Sequence, residues 1–321
     1  MDREAIAAHL DFVLKETNFP ELGARRQGKV RDVYDQGDTL VLIATDRYSA
    51  FDRNLALIPF KGQTLTAIAS FWFEQTKDII QNHLIASPDP NVVVARKCTT
   101  LPVEVVPRAY ITGVTGTSLW TKYQAGERDF GNFKLPEGLK KNQKLERTVL
   151  TPTTKSDVHD EQITPQQIVE RGIIKKELWE EIERVSLALF ARGQEVAAAH
   201  GLILVDTKYE FGLDAEGRLT LIDEIHTPDS SRYWQLGSYE ERFAKGEEPE
   251  YFDKEFLRLW FKANSDPYKD KVLPEVPKDK VAELSSRYVR IYEQLLGKPF
   301  EADFTMPILE RIAKNIQSLK Q

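Results

Sequence analysis

Residues 201–227 read GLILVDTKYEFGLDAEGRLTLIDEIHT, two apolar runs flanking a short acidic segment that contains Gly217. Branched and aromatic residues on either side of a glycine-bearing turn predict a β-hairpin. Alternate side chains of an extended chain share a face. Asp206, Lys208 and Glu210 therefore line one face, and Val205, Thr207, Tyr209 and Phe211 the other. If Glu216-Gly217 forms a two-residue turn, Glu210 lies directly across from Asp223, with Cβ atoms about 4.5–5.5 Å apart. Two carboxylates that close repel. A hard cation such as Mg²⁺ removes the repulsion while using only one or two carboxylates, the remaining ligands being substrate oxygens. A three-residue loop with Gly217 as a bulge would instead turn Asp223 to the opposite face, leaving two unrelated carboxylates on an exposed hairpin.

The same grammar recurs upstream. GKVRDVYD (28–35) and DTLVLIATD (38–46) flank Gln36-Gly37 and predict a second hairpin. Leu65, Ile68, Ala69, Trp72 and Phe73 recur at helical spacing and predict a helix within 64–84. NVVVARKC (91–98) and EVVPRAYITG (104–113) return to strand character, joined by a Thr-Thr-Leu-Pro connection. The Gly-, Lys- and Asn-rich stretch 121–150 reads as a solvated loop. Residues 166–201 read as two helices, with Gly201 closing the second. Further on, Leu284, Tyr288, Ile291 and Leu295 form one apolar helical stripe. Hairpins mixed with helices, without regular βαβ repeats, predict an α+β protein. We expect two lobes of kinase-like or ATP-grasp-like architecture: an N-terminal lobe, 1–107, and a larger α+β domain, 108–321, with ligands in the cleft between them.

Composition bounds the function. The chain has 321 residues, with 44 Lys+Arg against 50 Asp+Glu, a net charge of −6. That balance argues against nucleic acid, whose backbone needs a broad basic surface. The single cysteine, Cys98, excludes an internal disulfide and fits a reducing compartment. No apolar run approaches the roughly 20 residues that span a bilayer. The start MDREAIAAHLDFVLKETNF is unlike a secretory signal. A cytoplasmic protein without membrane partners is the expectation; the oligomeric state stays open.

Several local motifs bear on chemistry. Gly23 to Lys29 matches G-x-x-x-x-G-K, but Val30 replaces the Ser/Thr that holds magnesium, and a strand follows where a P-loop needs a helix. On that strand Lys29 and Arg31 share a face beside Gly28, a placement suited to polyphosphate; two snorkelling surface cations are the plain alternative. TPTTKSDVHDEQIT (151–164) offers Lys155, Asp157, His159 and Asp160 on a loop. TPDSSRYW (227–234) offers Asp229, Ser230, Ser231 and Arg232, where Ser or Asp could cap a helix and leave amides for an anion. His159, His200 and His226 lack zinc-site spacing, and no G-x-S-x-G elbow exists.

In this order, GKVRD (28–32), TDRYSAFD (45–52), VPRAYITG (106–113), TPTTK…HDE (151–161), VDTKYEFG (205–212), LIDEIHTPDSSRYW (221–234) and FDKEFLRLWF (252–261) resemble the SAICAR synthetase family. The resemblance implies an ATP-dependent ligase of purine biosynthesis. Such an enzyme joins L-aspartate to the carboxylate of carboxyaminoimidazole ribonucleotide (CAIR), with ATP and Mg²⁺. By the same resemblance Lys29 and Arg31 face the ATP phosphates, Arg96, Lys97, Thr100 and Leu101 edge the adenine, and Glu104 contacts the nucleoside. Glu210 and Asp223 would hold Mg²⁺. Arg108 and Arg232 would grip the 5′-phosphate, with Ser231 and Asp229 beside them. Lys208 and Asp206 would serve the ribonucleotide or the transferring group, and Lys155 and Asp160 would sit on a loop near substrate. The segment after Arg108 is longer than the shorter family pattern, so the phosphate-binding hydroxyl is Thr115 or Ser118; Ser118, which precedes Leu-Trp, is favoured. The stretch 124–150 and the long C-terminus resemble the longer-form members. A kinase-like phosphotransferase acting on a hydroxyl, and a non-catalytic nucleotide-binding module, are the competing classes.

Overall fold

The computed structural model describes residues 1–155, 161–252 and 254–317. Three larger antiparallel sheets and a two-stranded one, Arg47–Ala50 with Arg53–Leu57, organise them. The first, five-stranded, runs in the order Arg25–Gln27, Arg31–Asp35, Thr39–Ala44, Val92–Arg96, Leu84–Asp89. In its hairpin Gln36 N donates to Thr39 O at 2.9 Å, so the central turn residues are Gly37 and Asp38, one step beyond the expected Gln36-Gly37. Helix Lys61–Thr76 is the one expected within 64–84, shifted towards the N-terminus. It touches this sheet and packs along helix Lys278–Leu296. A Cβ at Gly62 would lie 2.4 Å from the Ala44 carbonyl oxygen, so only glycine allows that approach. Helix Ile308–Ile316 closes the sheet's far end: Ile308, Ile312 and Ile316 join Tyr34, Val41, Ile43 and Val92 in one apolar cluster.

The second sheet has the order Gln143–Leu150, Pro107–Ile111, Leu202–Thr207, Ser231–Gln235; the third has Thr153–Thr154, Thr99–Val105, Tyr209–Leu213, Leu219–Ile222. Three chain segments leave one sheet and enter the other: at Val106, at Lys208 and at Thr151-Pro152. Helix Lys176–Ala199 packs on strand Leu202–Thr207, and Val205, Tyr209 and Phe211 enter the main core, as the alternation requires. The four stripe residues of helix Lys278–Leu296 are fully buried.

Two readings of the sequence are corrected. Thr-Thr-Leu-Pro is not a connection: it lies within strand Thr99–Val105. The strand's partner steps from Glu210↔Glu104 to Gly212↔Thr100, so Pro102 sits in a bulge, where its missing N–H costs no ladder bond. Nor is 121–150 simply solvated. Helix Leu119–Gln124 and strand Gln143–Leu150 enclose an apolar cluster that includes Tyr123, Phe130, Phe133, Leu135, Leu145 and Val149.

Candidate active site

Register builds the site. Asp206 pairs with Arg108 on one side and with Arg232 on the other, so three strands set Arg108, Asp206 and Arg232 in a row. Arg108 Nη1 donates to Asp206 Oδ2 at 3.0 Å and Arg232 Nη1 to the same oxygen at 2.5 Å. Arg108 Nε also donates to Thr151 Oγ1 at 2.8 Å. Burial lowers the Arg108 pKa, against which the Asp206 charge acts. One carboxylate between two guanidiniums leaves a net positive charge.

Lys208 stands at the crossing from the second sheet to the third. Its Nζ donates to Glu104 Oε1 at 2.7 Å and also bonds Glu210. Burial pushes the ammonium pKa down, but Glu210 and Glu104 outweigh it and the net shift is upward. Burial likewise pushes Glu210 up, but Lys208 and Lys155, both bonded to it, bring it down to about 2. The expected pairing of Glu210 with Asp223 is overturned: Glu210 faces Ile222 on one side and Glu104 on the other. The Glu216-Gly217 turn does not form. Asp214 Oδ1 accepts from Glu216 N at 3.1 Å and Arg218 N at 2.8 Å, organising a longer loop that shifts the ladder by one residue. Asp223 lies past the strand in a left-handed conformation (φ +66°). There it accepts from Arg31 Nη1 at 2.8 Å, while Arg31 Nη2 donates to Glu224 at 2.9 Å. Glu224 was not singled out from the sequence; its position beside Asp223 in LIDE was the available signal.

A cavity of about 280 Å³ opens beside the arginine row, and Ser118, Asp206, Lys208, Asp229, Ser231, Lys254 and Arg258 are also among its walls. Five cations and two carboxylates line it, an excess of three positive charges in a chain of net −6. Ser118 Oγ is held by Thr115 O at 2.7 Å and Thr121 Oγ1 at 2.8 Å, so both candidate residues of that segment reach the cavity wall. At Gly113, φ is +99° and a Cβ would lie 2.8 Å from Arg232 Nη2, which explains the glycine. Ser231 Oγ donates to Thr207 Oγ1 at 2.7 Å. No helix is capped by the 229–232 segment, because Ser231–Gln235 is a strand.

Asp229 lies between two lysines, with Lys61 Nζ at 2.7 Å and Lys254 Nζ at 3.1 Å, and Tyr288 OH donates to it at 2.7 Å. Burial raises its pKa, but Lys254 and Lys61 reverse this and hold it well below the carboxylate range. Sequence reading missed Lys61, Lys254, Tyr288 and Arg258. A lysine opening an apolar helix, fully buried here, was the signal at Lys61.

Other expected residues lie apart from the cavity. Lys29 is exposed and donates to Asp52 at 2.5 Å. Arg96 stands 3.9 Å from Asp214, and Lys97 donates to Asp35 at 2.7 Å. Thr100 is exposed and Leu101 half-buried on strand Thr99–Val105. Asp160, with Asp157 and His159, lies outside the described residues.

Comparison with known proteins places the chain in a family. The SAICAR synthetase family profile matches residues 24–275. A phosphoribosylaminoimidazole-succinocarboxamide synthase of Legionella pneumophila (strain Lens) is 55% identical over 309 residues, covering 96% of this chain and 99% of that protein. A chloroplastic synthase of that name from Arabidopsis thaliana is 55% identical over 321 residues, covering 97% of this chain and 78% of its own. Among solved structures, the SAICAR-synthase of Saccharomyces cerevisiae complexed with SAICAR superposes with a TM-score of 0.76 at 31% identity, over 90% of this chain and all of that one. A SAICAR synthetase in complex with ADP gives 0.66 at 25% identity, over 87% of this chain and all of that one. The α+β fold, the ordered motifs and these relatives agree, and the chain belongs to the SAICAR synthetase family.

Proposed function

We propose that this ATP-dependent ligase uses the arginine row to hold the 5′-phosphate of CAIR and the adjoining Glu104–Lys208–Glu210 group to meet ATP. The observation that carries the reading is the crossing at Lys208. It sets a cavity rich in cations directly beside a set of carboxylates, within one strand pair. A phosphate dianion fits two guanidiniums well, and Arg258 supports the same reading: its Nε is buried with no hydrogen-bond partner among the described residues.

The chemistry follows from a carboxylate being a poor electrophile. A carboxylate oxygen of CAIR attacks the γ-phosphorus of ATP, the bond to the ADP oxygen breaks, and an acyl phosphate forms. The amine of L-aspartate then attacks the acyl carbon, the carbon–oxygen bond to phosphate breaks, and the amine loses a proton. Lys208, charged and fixed between Glu104 and Glu210, neutralises the moving phosphoryl group, and positioning supplies much of the rest. Arg31, held by Asp223 and Glu224, and Lys29 would serve the polyphosphate; Arg96 to Leu101 would border the adenine. Ser118 and Ser231 would assist phosphate binding, and Lys155 and Asp160 would approach the reacting groups.

The residues present fit Mg²⁺. Glu210 and Asp223 are hard oxygen donors, both neutralised here by cationic side chains. An ion held by one or two carboxylates would take its remaining ligands from phosphate oxygens. Bound there, it would neutralise charge on the polyphosphate. We place the division between ATP-binding and ribonucleotide-binding lobes near residue 107. No helix among the described residues is long and apolar enough to cross a membrane; a cytoplasmic location is part of the proposal.

The test is an assay of pure protein with ATP, Mg²⁺, CAIR and L-aspartate. Expected is SAICAR, with phosphate release that requires aspartate. ATP consumption with phosphorylation of a hydroxyl would favour a phosphotransferase instead, and no product at all would overturn the reading.

A further inference from the structure

Helix Glu255–Asn264 has two chemically different sides. Arg258 lines the cavity described above, and Glu255 stands 3.5 Å from Arg232 Nε. Phe256, Leu259 and Trp260, at i, i+3 and i+4, line a second cavity of about 480 Å³. Its remaining walls come from Arg242 on helix Leu236–Lys245, from the segment Glu248–Phe252 and from helix Lys278–Leu296.

This cavity pairs an aromatic floor with a cationic rim. Arg242, Lys280, Arg287 and Arg290 face Glu248 and Glu250, four basic groups against two acidic ones. Glu248 is already engaged by Asn142 Nδ2 at 3.0 Å, by Lys141 and by Tyr251 OH. Arg242 and Arg287 are also engaged: Arg242 donates to Glu248 O at 2.6 Å and stands 3.6 Å from Glu247, and Arg287 donates to Glu283 at 2.8 Å and to Tyr251 O at 2.7 Å, with its guanidinium 4.1 Å from the Phe256 ring centre. Arg290 differs. Its guanidinium lies 5.1 Å from the Phe252 ring centre, and it has no carboxylate partner among the described residues. Lys280 lies 3.9 Å from the carboxylate of its neighbour Asp279, a weak contact between exposed groups.

A half-buried aromatic surface beside uncommitted cations suits a ligand with both a flat ring and an anionic group. Arg290 and Lys280, neither closely paired with a carboxylate, together match a phosphate dianion. Inorganic phosphate would leave the ring surface unused, and a plain aromatic would leave Arg290 unused. We propose that this cavity binds a small aromatic monophosphate, and that its occupancy changes ribonucleotide affinity at the catalytic cavity through the shared helix. Such coupling is reciprocal: ribonucleotide would alter the affinity of the second cavity by the same factor.

Titration calorimetry with phenyl phosphate, on full-length protein saturated with ADP and SAICAR, tests the site. Expected is saturable binding that Arg290→Glu weakens by at least about tenfold, the equivalent of 1.4 kcal/mol. Trp260→Ala should weaken it similarly, and exposed Arg290 provides the decisive variant if Trp260→Ala fails to fold. Phenyl phosphate should also change the KM for CAIR at least about twofold in the wild type and not in Arg290→Glu. No saturable binding, equal binding by Arg290→Glu, an unchanged KM at saturation, or a KM change that persists in Arg290→Glu would each overturn the proposal. The calorimetric arm reads the site whether or not CAIR proves to be the substrate.

Discussion

Asp229 carries one negative charge between the buried ammoniums of Lys61 and Lys254, with Tyr288 as a further donor. Removing a partner from a buried ion network leaves the other charges unsolvated, at a cost of roughly 3–5 kcal/mol. Asp229→Asn should therefore lower unfolding free energy by about that amount in urea titrations. Tyr288→Phe, which removes one hydrogen bond to a charged group, should cost only about 1.5–3 kcal/mol. Equal losses for both would show that the lysines do not depend on Asp229. Arg108 acts differently, because its guanidinium is held by Asp206 and Thr151 beside the cavity. Arg108→Ala should raise the KM for CAIR by at least about tenfold and change kcat much less, as expected when binding common to ground and transition states is lost. Initial-rate kinetics at saturating ATP and aspartate decide this.

Among the elements, helix Lys61–Thr76 depends on a close backbone approach at Gly62. Gly62→Ala would press a methyl group to 2.4 Å from Ala44 O and 2.5 Å from Asn91 Nδ2. Helix and sheet must then separate, and a lower thermal midpoint should follow, with loss of the Lys61–Asp229 contact. Local patterning made the main elements legible: the two hairpins, the helices after residue 165 and the buried stripe of helix Lys278–Leu296 all follow from short-range periodicity. What it could not supply was the partner of each strand. Glu104 reaches Glu210, and Arg108 reaches Asp206, by pairings that span about a hundred residues. Pro102 read as a breaker because a bulge that tolerates it is a property of two strands together. Of the two turns the sequence left open, the three-residue one forms: Asp214 N donates to Arg218 O at 3.1 Å and Gly217 N to Asp214 O at 3.0 Å, with the Asp214 carboxylate adding bonds that sequence spacing does not reveal. The charges of 121–150 hid aromatic residues whose irregular spacing matches no single helix or strand.

Over the whole molecule, the −6 charge says little about its ligands, since the cavity beside the arginine row is locally positive. Stability should nevertheless depend on pH through buried neutral histidines. Burial, with Arg31 nearby, lowers His83 from 6.5 to about 4. Below 6.5 the unfolded chain binds a proton that the folded chain refuses, so the contribution is complete above 6.5 and is lost as pH falls towards 4. His83→Gln should therefore narrow the difference in thermal midpoint between about pH 7.5 and about pH 5, even if it lowers both midpoints. An unchanged difference would mean that His83 is protonated in the folded protein. The crossing at Lys208 carries a consequence for which changes of length the chain can accept. Asp206 and Glu210 are four residues apart yet serve different sheets. One residue inserted between them would shift either the arginine row or the carboxylate pair out of alignment, and no compensating change in a single strand could restore both. The mostly exposed 136–140 connection, which carries no site side chain, should accept the same insertion and keep activity. A library of single-residue insertions, selected for growth without external purines, should show a gap at 206–210 and tolerance at 136–140.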